Sequence, residues 1–252
     1  MRERGKTEAF YRRLNRPFGE YPLARRRQDV LHDKKWKLLL RRSDLFRHVP
    51  FVEAALAAGS MALGNVRETS DFDVLTVARP GRIFTARFFS ILFFGVRGWR
   101  RTKLSHHETA ADKICLNHFV TREKMRLDPP HNVYWEELYR HLVPLYGASE
   151  AVNAFFAAND WMVPPRVYRD DLRHQGGGPS RIKRALEGVL KGKAGDRLEG
   201  ALKRFQVRRI ERGLAASLPT GQAGAGHNPR IRYGDTELEF HPDTRRIDQM
   251  LS

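Results

Sequence analysis

The sequence has little cysteine and no long apolar run. Cys115 is its single cysteine, which excludes a disulfide within the chain and any zinc site built from several cysteines. The most apolar stretch, FFSILFFGV at residues 88–96, is far shorter than the roughly 20 residues that a membrane-spanning helix needs. The N-terminal residues are basic but contain no apolar segment, unlike a secretory signal. These absences predict a cytoplasmic protein without a transmembrane segment.

Acidic residues are outnumbered by basic ones. The 252 residues include 29 Asp and Glu against 46 Lys and Arg, which gives a formal net charge of +17. Such a charge attracts polyanions such as nucleic acid, nucleotide phosphates or an anionic membrane, although solubility alone would also account for it. We therefore expect RNA or another polyanion as a partner. The largest cationic feature follows a predicted helix that could track a phosphate backbone: Arg181, Lys183, Arg184, Lys191, Lys193, Lys203, Arg204, Arg208, Arg209 and Arg212.

The order of predicted elements favours a mixed-sheet α/β or α+β fold with flanking helices. We predict a helix at 29–47, strands at 50–58, 71–78 and 112–121, and a helix at 82–98. Later helices are predicted at 134–146, 149–159 and 180–212, with a break near Gly192 and Gly195, and a short hairpin turns at Gly-Asp. The chain thus divides into a flexible basic arm (1–28), a core (29–125), a helical region (126–212) and a flexible tail with the hairpin (213–252).

Two aspartates lie one residue apart in a predicted strand. Because strand side chains alternate, Asp71 and Asp73 point to the same face, while Phe72 and Val74 face the core. Two adjacent carboxylates repel each other unless a cation lies between them. Mg²⁺ takes a few carboxylate oxygens and completes its shell with water and substrate phosphates. The pair therefore predicts a magnesium site at the exposed start of this strand.

A Gly-Ser turn precedes the aspartates. Gly59 allows close approach of the backbone, and the following amides, with the Ser60 hydroxyl, can hold a triphosphate at a helix N-terminus. Arg67 is positioned in the sequence to contact phosphate. Ser70 is positioned to cap or orient the acidic strand.

The stretch GSMALGNVRETSDFDVL, residues 59–75, resembles the signature of the DNA polymerase beta-type nucleotidyltransferase superfamily. That signature is an apolar strand, Gly-Gly or Gly-Ser, a spacer and Asp-x-Asp. The resemblance implies a mixed-sheet core that uses Mg²⁺ and a nucleoside triphosphate. Gly59 and Ser60 then match the nucleotide-phosphate turn, and Asp71 and Asp73 match the metal-binding carboxylates. The implied reaction transfers a nucleoside monophosphate to a hydroxyl acceptor by in-line attack.

The resemblance also implies a third acid on a later strand, and residues 112–121 are the candidate strand. Asn117 is its embedded polar residue; it can ligate a metal but cannot act as a base. Asp112 is an acid, but it begins the strand with the opposite parity, which His118 shares. The sequence leaves Asn117 and Asp112 open as alternatives. If neither serves, the chain is a catalytically weak or inactive nucleic-acid-binding protein on the same scaffold.

Two further polar clusters stand outside this signature. Adjacent residues do not converge easily on one ion, so His106, His107 and Glu108 predict a solvated loop rather than a metal site. A basic cluster beside the apolar helix could face nucleic acid, bind anionic lipid in a membrane-surface protein, or offset the dipole at the helix end. Its members are Arg97, Arg100, Arg101 and Lys103.

Overall fold

A computed structural model describes residues 22–102, 110–128, 133–161, 178–217 and 230–241. Its six-stranded mixed sheet has the strand order β4-β1-β2-β3-β6-β5. The strands are β1 (Val52–Ala57), β2 (Phe72–Ala78), β3 (Ile114–Thr121), β4 (Val143–Gly147), β5 (Arg230–Tyr233) and β6 (Glu237–His241). The helices are α1 (Pro22–Ser43), α2 (Gly59–Leu63), α3 (Ile83–Val96), α4 (Val133–Arg140), α5 (Ser149–Ala158), α6 (Arg181–Val189) and α7 (Lys193–Ser217), with 3₁₀ turns at Asp44–His48 and Arg122–Lys124. The predicted α+β fold is confirmed.

Parts of the sequence interpretation fall outside these residues. They are the predicted arm up to residue 21, most of the predicted tail, Lys103 and the loop residues His106, His107 and Glu108. Within the described ranges, no helix combines the length and apolar character needed to cross a membrane.

The strand directions bring three chain segments together at one end of the central strands. β2 pairs antiparallel with β1 and parallel with β3, and α3 makes the crossover that a parallel pair requires. Consequently the C-terminal end of β1 lies beside the N-terminal ends of β2 and β3. The two predicted parts of the signature, the glycine turn and the acidic strand, therefore meet there.

Helices cover both faces of the sheet. One apolar cluster joins α1, α3 and α7 to the sheet through Trp36, Leu39, Phe84, Phe94 and Leu202, among other residues. The opposite cluster joins α4 and α5 to the other sheet face through Trp135, Leu138, Tyr139, Phe155 and Phe156. These aromatic residues thus serve core packing.

The predicted helix at 134–146 is wrong in its second half. Helix α4 ends at Arg140, and residues Val143–Gly147 form β4 at the sheet edge, beside β1. Pro144 explains the change, because proline lacks the N–H that a helix interior needs and is tolerated in edge strands. The predicted helical region therefore contributes a strand to the central sheet.

The last two helices, α6 and α7, pack against the sheet, and the C-terminal hairpin extends it. The predicted break is present between α6 and α7, where Gly192 has φ +64°. Buried Lys183 of α6 donates from Nζ to the carbonyls of Val49, at 2.8 Å, and Val52, at 2.5 Å. The predicted hairpin is confirmed, and its strand β6 pairs antiparallel with β3.

Glu199 of α7 caps the N-terminus of α3. Its carboxylate accepts from the backbone N–H groups of Phe84, at 2.9 Å, and Thr85, at 2.8 Å, and from the Thr85 hydroxyl at 2.5 Å. These donors are among those that no intrahelical carbonyl can satisfy, and a negative charge is favourable at a helix N-terminus. Glu199 thereby fixes α7 against α3.

We predict that Glu199→Gln lowers the unfolding free energy by about 1–3 kcal/mol, since the amide keeps the shape but loses the charge and one acceptor. Urea denaturation followed by circular dichroism measures the change. Glu211→Gln, on an exposed position of the same helix, is the matched control and should change it by less than about 0.5 kcal/mol. Equal effects of the two changes would contradict the capping role.

Candidate functional site

The glycine bend lies directly against the Asp73 carboxylate. The Ala58 amide donates to the Asp73 carbonyl at 2.9 Å, which joins the end of β1 to the start of β2. Gly59 follows with φ +60°, a conformation that L residues rarely adopt. A Cβ atom at Gly59 would lie 3.0 Å from Asp73 Cγ and closer still to its Oδ2. Only glycine leaves room for this contact between backbone and carboxylate.

A bulge in β3 places two more polar side chains beside Asp73. Asp73 pairs with Cys115 and Leu75 with His118, so two residues of β3, Leu116 and Asn117, oppose one residue of β2. The Cys115 thiol hydrogen-bonds to Asp73, and Asn117 Nδ2 donates to Asp73 Oδ1 across a long 3.4 Å. Ligand atoms of Asp71, Asp73 and Cys115 all lie within 4.8 Å of one another. Asn117 thus belongs to the site, and Cys115 is a neighbour that the sequence pattern did not identify.

Arg101 neutralises one of the two acids. Its Nη1 donates to Asp71 Oδ2 at 2.7 Å, and the two side chains are only 15% and 17% exposed. Of the basic cluster predicted near the apolar helix, Arg101 therefore faces the acids rather than solvent. Asp71 and Arg101 form an ion pair at the rim of the site.

Burial and repulsion change the protonation of the site. Burial, together with the negative charge of Asp71, raises the pKa of Asp73 to about 7, against the opposing effects of Arg101 and the Cys115 hydrogen bond. Burial also raises the pKa of the Cys115 thiol well above its usual range, and the nearby aspartates act in the same direction. Asp73 therefore loses its proton only around neutral pH, while Cys115 stays a thiol.

The donor set fits a hard divalent cation with few protein ligands. Mg²⁺ prefers oxygen and commonly binds one or two carboxylates, keeping water and substrate phosphates in its other positions. Asp71 and Asp73 supply such carboxylates, and Asn117 brings an amide oxygen on the neighbouring strand. A protonated thiol is a poor ligand for a hard cation, so Cys115 fits the site as a hydrogen-bond donor to Asp73.

Asp112, the other candidate for a third acid, is held elsewhere. Its Oδ1 accepts from Lys35 Nζ at 2.7 Å, and Arg42 donates to its carbonyl. The Lys35 side chain is 3% exposed, and its Nζ also donates to the carbonyls of Ser70, at 2.9 Å, and Glu68, at 3.0 Å. Asp112 thus anchors the segment before β2 and does not join the group of Asp71, Asp73 and Cys115.

Helix α1 fixes the segment that links the glycine bend to the acids. Gln28 Nε2 donates to the carbonyls of Val66, at 2.9 Å, and Gly64, at 3.3 Å. The predicted role of Ser70 as an orienting residue agrees with its geometry: its Oγ accepts from the Arg67 amide at 2.9 Å, and its amide donates to the Arg67 carbonyl at 3.0 Å. Arg67 itself is exposed, and its guanidinium has no described contact with the acids.

His118 joins a separate buried group. Its Nε2 lies 3.3 Å from Glu237 Oε1, and its Nδ1 lies 4.0 Å from Glu239 Oε1, both on β6. Arg232 of β5 lies 3.4 Å from Glu237 and 3.9 Å from Glu239. Arg232 thus forms ion pairs with the two glutamates of β6, and the His118 contacts connect this group to β3.

We predict that Gly59→Ala destabilises the protein more than Gly64→Ala. Both glycines have positive φ, +60° and +74°, so each substitution costs about 1 kcal/mol of backbone strain. A Cβ at Gly64 meets nothing within 4 Å, whereas one at Gly59 overlaps the Asp73 carboxylate and should cost about 2 kcal/mol more. Denaturant unfolding of both variants measures the difference, and equal losses would contradict the close contact.

We also predict a pH dependence of stability in the presence of a chelator. The folded protein keeps the Asp73 proton up to about pH 7, whereas an unfolded Asp loses it near pH 4, at about 3.9. The folded state therefore binds more protons between these values, and the unfolding free energy falls as pH rises, by at most about 1.4 kcal/mol per pH unit. Asp73→Asn should flatten this fall.

The control for that measurement is Asp33→Asn, because the Asp33 side chain is 64% exposed. Unfolding curves between about pH 4 and pH 8 should show the same slope for this variant and the unchanged protein. A slope unaltered by Asp73→Asn would show that Asp73 is ionised throughout.

Comparison of the chain with protein-family models, with curated proteins and with solved structures finds no match in any of the three. The interpretation of the site therefore rests on its residues and their geometry.

Proposed function

We propose that the protein is a nucleotidyltransferase that moves a nucleoside monophosphate from a nucleoside triphosphate to a hydroxyl acceptor. One observation carries the proposal: the Gly59 backbone contacts the Asp73 carboxylate, with Asp71 on the same face of the sheet. A close-approaching backbone beside paired carboxylates suits a triphosphate and its cation, as the resemblance of residues 59–75 to the polymerase beta-type superfamily implies. A cytoplasmic location belongs to this proposal.

Asp71 and Asp73 would hold Mg²⁺, and the bend at Gly59 and Ser60 would hold the triphosphate. When bound, the cation supplies charge stabilisation to the transferring phosphoryl group. Asn117 and Cys115 orient Asp73 through their hydrogen bonds. Arg101, which pairs with Asp71, supplies a positive charge that would attract the phosphate oxygens. The acceptor oxygen bonds to the α-phosphorus as the bond to the β-phosphate oxygen breaks. Pyrophosphate leaves with that electron pair, and the hydroxyl proton passes to solvent.

A second candidate function is nucleotide or nucleic-acid binding without turnover. Two features favour it: Arg101 already pairs with Asp71, and the described ligand atom that completes the aspartate group is a protonated thiol. A thiol with a raised pKa and an amide are both poor bases for activating a hydroxyl. The two candidates share a binding site and differ only in turnover.

Label transfer from α-phosphate-labelled nucleoside triphosphates tests the proposal. With Mg²⁺ and hydroxyl acceptors that include RNA, we expect transfer that falls at least about 100-fold in Asp71→Asn and Asp73→Asn, because each change removes a charge at the developing phosphoryl charge. Asp33→Asn, at an exposed position of α1, should retain it.

A thermal-shift measurement with Mg²⁺ and a triphosphate separates the two candidates. Stabilisation that depends on Asp73, without transfer to any acceptor, would favour binding alone. Transfer that persists in both aspartate variants would show that the reaction occurs elsewhere.

A further inference from the structure

Helix α7 presents two different faces. Its inner face carries Leu198, Leu202 and Ile210, which pack in the core, together with buried Gln206, whose Nε2 donates to the Phe84 carbonyl at 2.8 Å. Its outer face carries the described residues that line one surface depression: Ala201, Arg204, Phe205, Arg208, Arg209 and Arg212. Because Glu199 and Gln206 fix the helix on its inner side, the arginines on the outer side face solvent.

The spacing on the outer face suits a phosphate backbone. Arg204, Arg208 and Arg212 recur every four residues, which places them about 6 Å apart along the helix axis. Each strand of a duplex carries one negative charge about every 3.4 Å of axis. An extended single strand spaces its phosphates more widely, so three arginines about 6 Å apart can each meet a separate phosphate. A single phosphate or a free nucleotide would use only part of this row.

An exposed aromatic side chain lies within the row. Phe205 is 58% exposed, although it is one turn away from buried Leu202 and adjoins buried Gln206. An aromatic ring among arginines is the combination by which proteins bind single strands: the cations contact phosphates, and the ring stacks on an unpaired base. Bases in a duplex are already stacked, so this arrangement favours a single strand.

Further positive charge adjoins the arginine row. Burial lowers the pKa of Arg100, and the nearby positive charge of Arg209 lowers it further. Arg87 is affected in the same way by burial, Arg100 and Arg209. Arg100 precedes Arg101, the partner of Asp71. Positive charge is therefore concentrated beside α7 around Arg209, Arg100 and Arg87, where an anion would relieve the repulsion.

We propose that the outer face of α7 binds single-stranded nucleic acid, with Arg204, Arg208 and Arg212 on the phosphates and Phe205 on a base. Arg209, whose charge interacts with that of Arg100, adds to this surface. If the proposed function holds, the strand supplies the acceptor hydroxyl.

The features of α7 favour nucleic acid over an anionic membrane. A helix lying in a membrane interface buries a broad apolar face in the lipid. The apolar face of α7 is already packed against α3 and the sheet, and Phe205 is the one large hydrophobic side chain described as exposed between Lys193 and Gly213. The outer face therefore offers charge and one ring, which a flexible polyanion with bases can use.

Fluorescence anisotropy with a labelled uridine oligomer of about 12 nucleotides tests the proposal, in chelator and over a range of salt concentrations. The triple variant Arg204→Gln, Arg208→Gln and Arg212→Gln should bind at least about tenfold more weakly, and its slope of log K against log salt should fall by about 2. Phe205→Ala should weaken binding about fivefold or more without changing that slope.

The matched control removes the same charge from exposed positions outside the row: Arg181→Gln, Arg184→Gln and Lys191→Gln. It should change affinity by less than about twofold, whereas equal weakening by both triple variants would overturn the proposal, as charge alone would then account for binding. Absence of salt-dependent binding would also overturn it. So would tighter binding to vesicles of phosphatidylserine and phosphatidylcholine than to the oligomer. Because the assay contains no Mg²⁺, binding does not depend on the aspartate site. Oligomer binding by the unchanged protein, together with no label transfer by that same protein, would reject the proposed function and still support this surface.

Discussion

The site depends on the contact between the Gly59 backbone and the Asp73 carboxylate. That contact requires a left-handed conformation at Gly59, a backbone hydrogen bond between Ala58 and Asp73, and the antiparallel pairing of β1 with β2. A side chain at Gly59 would occupy the space of the carboxylate, so the bend and the acid are compatible only as a pair. The Lys35 bonds to the Glu68 and Ser70 carbonyls support the segment between them from the opposite side.

The charges around this contact balance only while Asp73 keeps its proton. Two carboxylates share the rim with one guanidinium, Arg101, so one negative charge remains to be compensated when Asp73 ionises. Removing a carboxylate charge from water is costly, so Asp73 keeps its proton until about neutral pH. A divalent cation at the same place would favour the ionised form. Cation binding and proton release at Asp73 are therefore coupled, and binding strengthens as pH rises.

Local pattern predicts much of this fold, because strand alternation and glycine turns are short-range signals. The three core strands, α3, α5, the break near Gly192 and the hairpin follow from such signals. The error at β4 was also local, since Pro144 argued against a helix. The bulge that turns Asn117 toward Asp73, the Cys115–Asp73 pairing and the attachment of Asp112 to Lys35 depend on register and on residues far apart in the chain. No periodicity encodes them, so the third position of the site could not be assigned from sequence.

The packing of α7 determines which surface of this helix exposes its positive charges. A net charge of +17 attracts polyanions without choosing a surface. The core contacts of Leu202, the cap that Glu199 forms on α3 and the bond from Gln206 to Phe84 together fix which side of α7 faces the core. Rotation of the helix by half a turn would bury arginines and is excluded by those contacts. The same inner-face contacts that stabilise the fold therefore align the outer arginines, and they place Arg209 near enough to Arg100 for the two positive charges to interact.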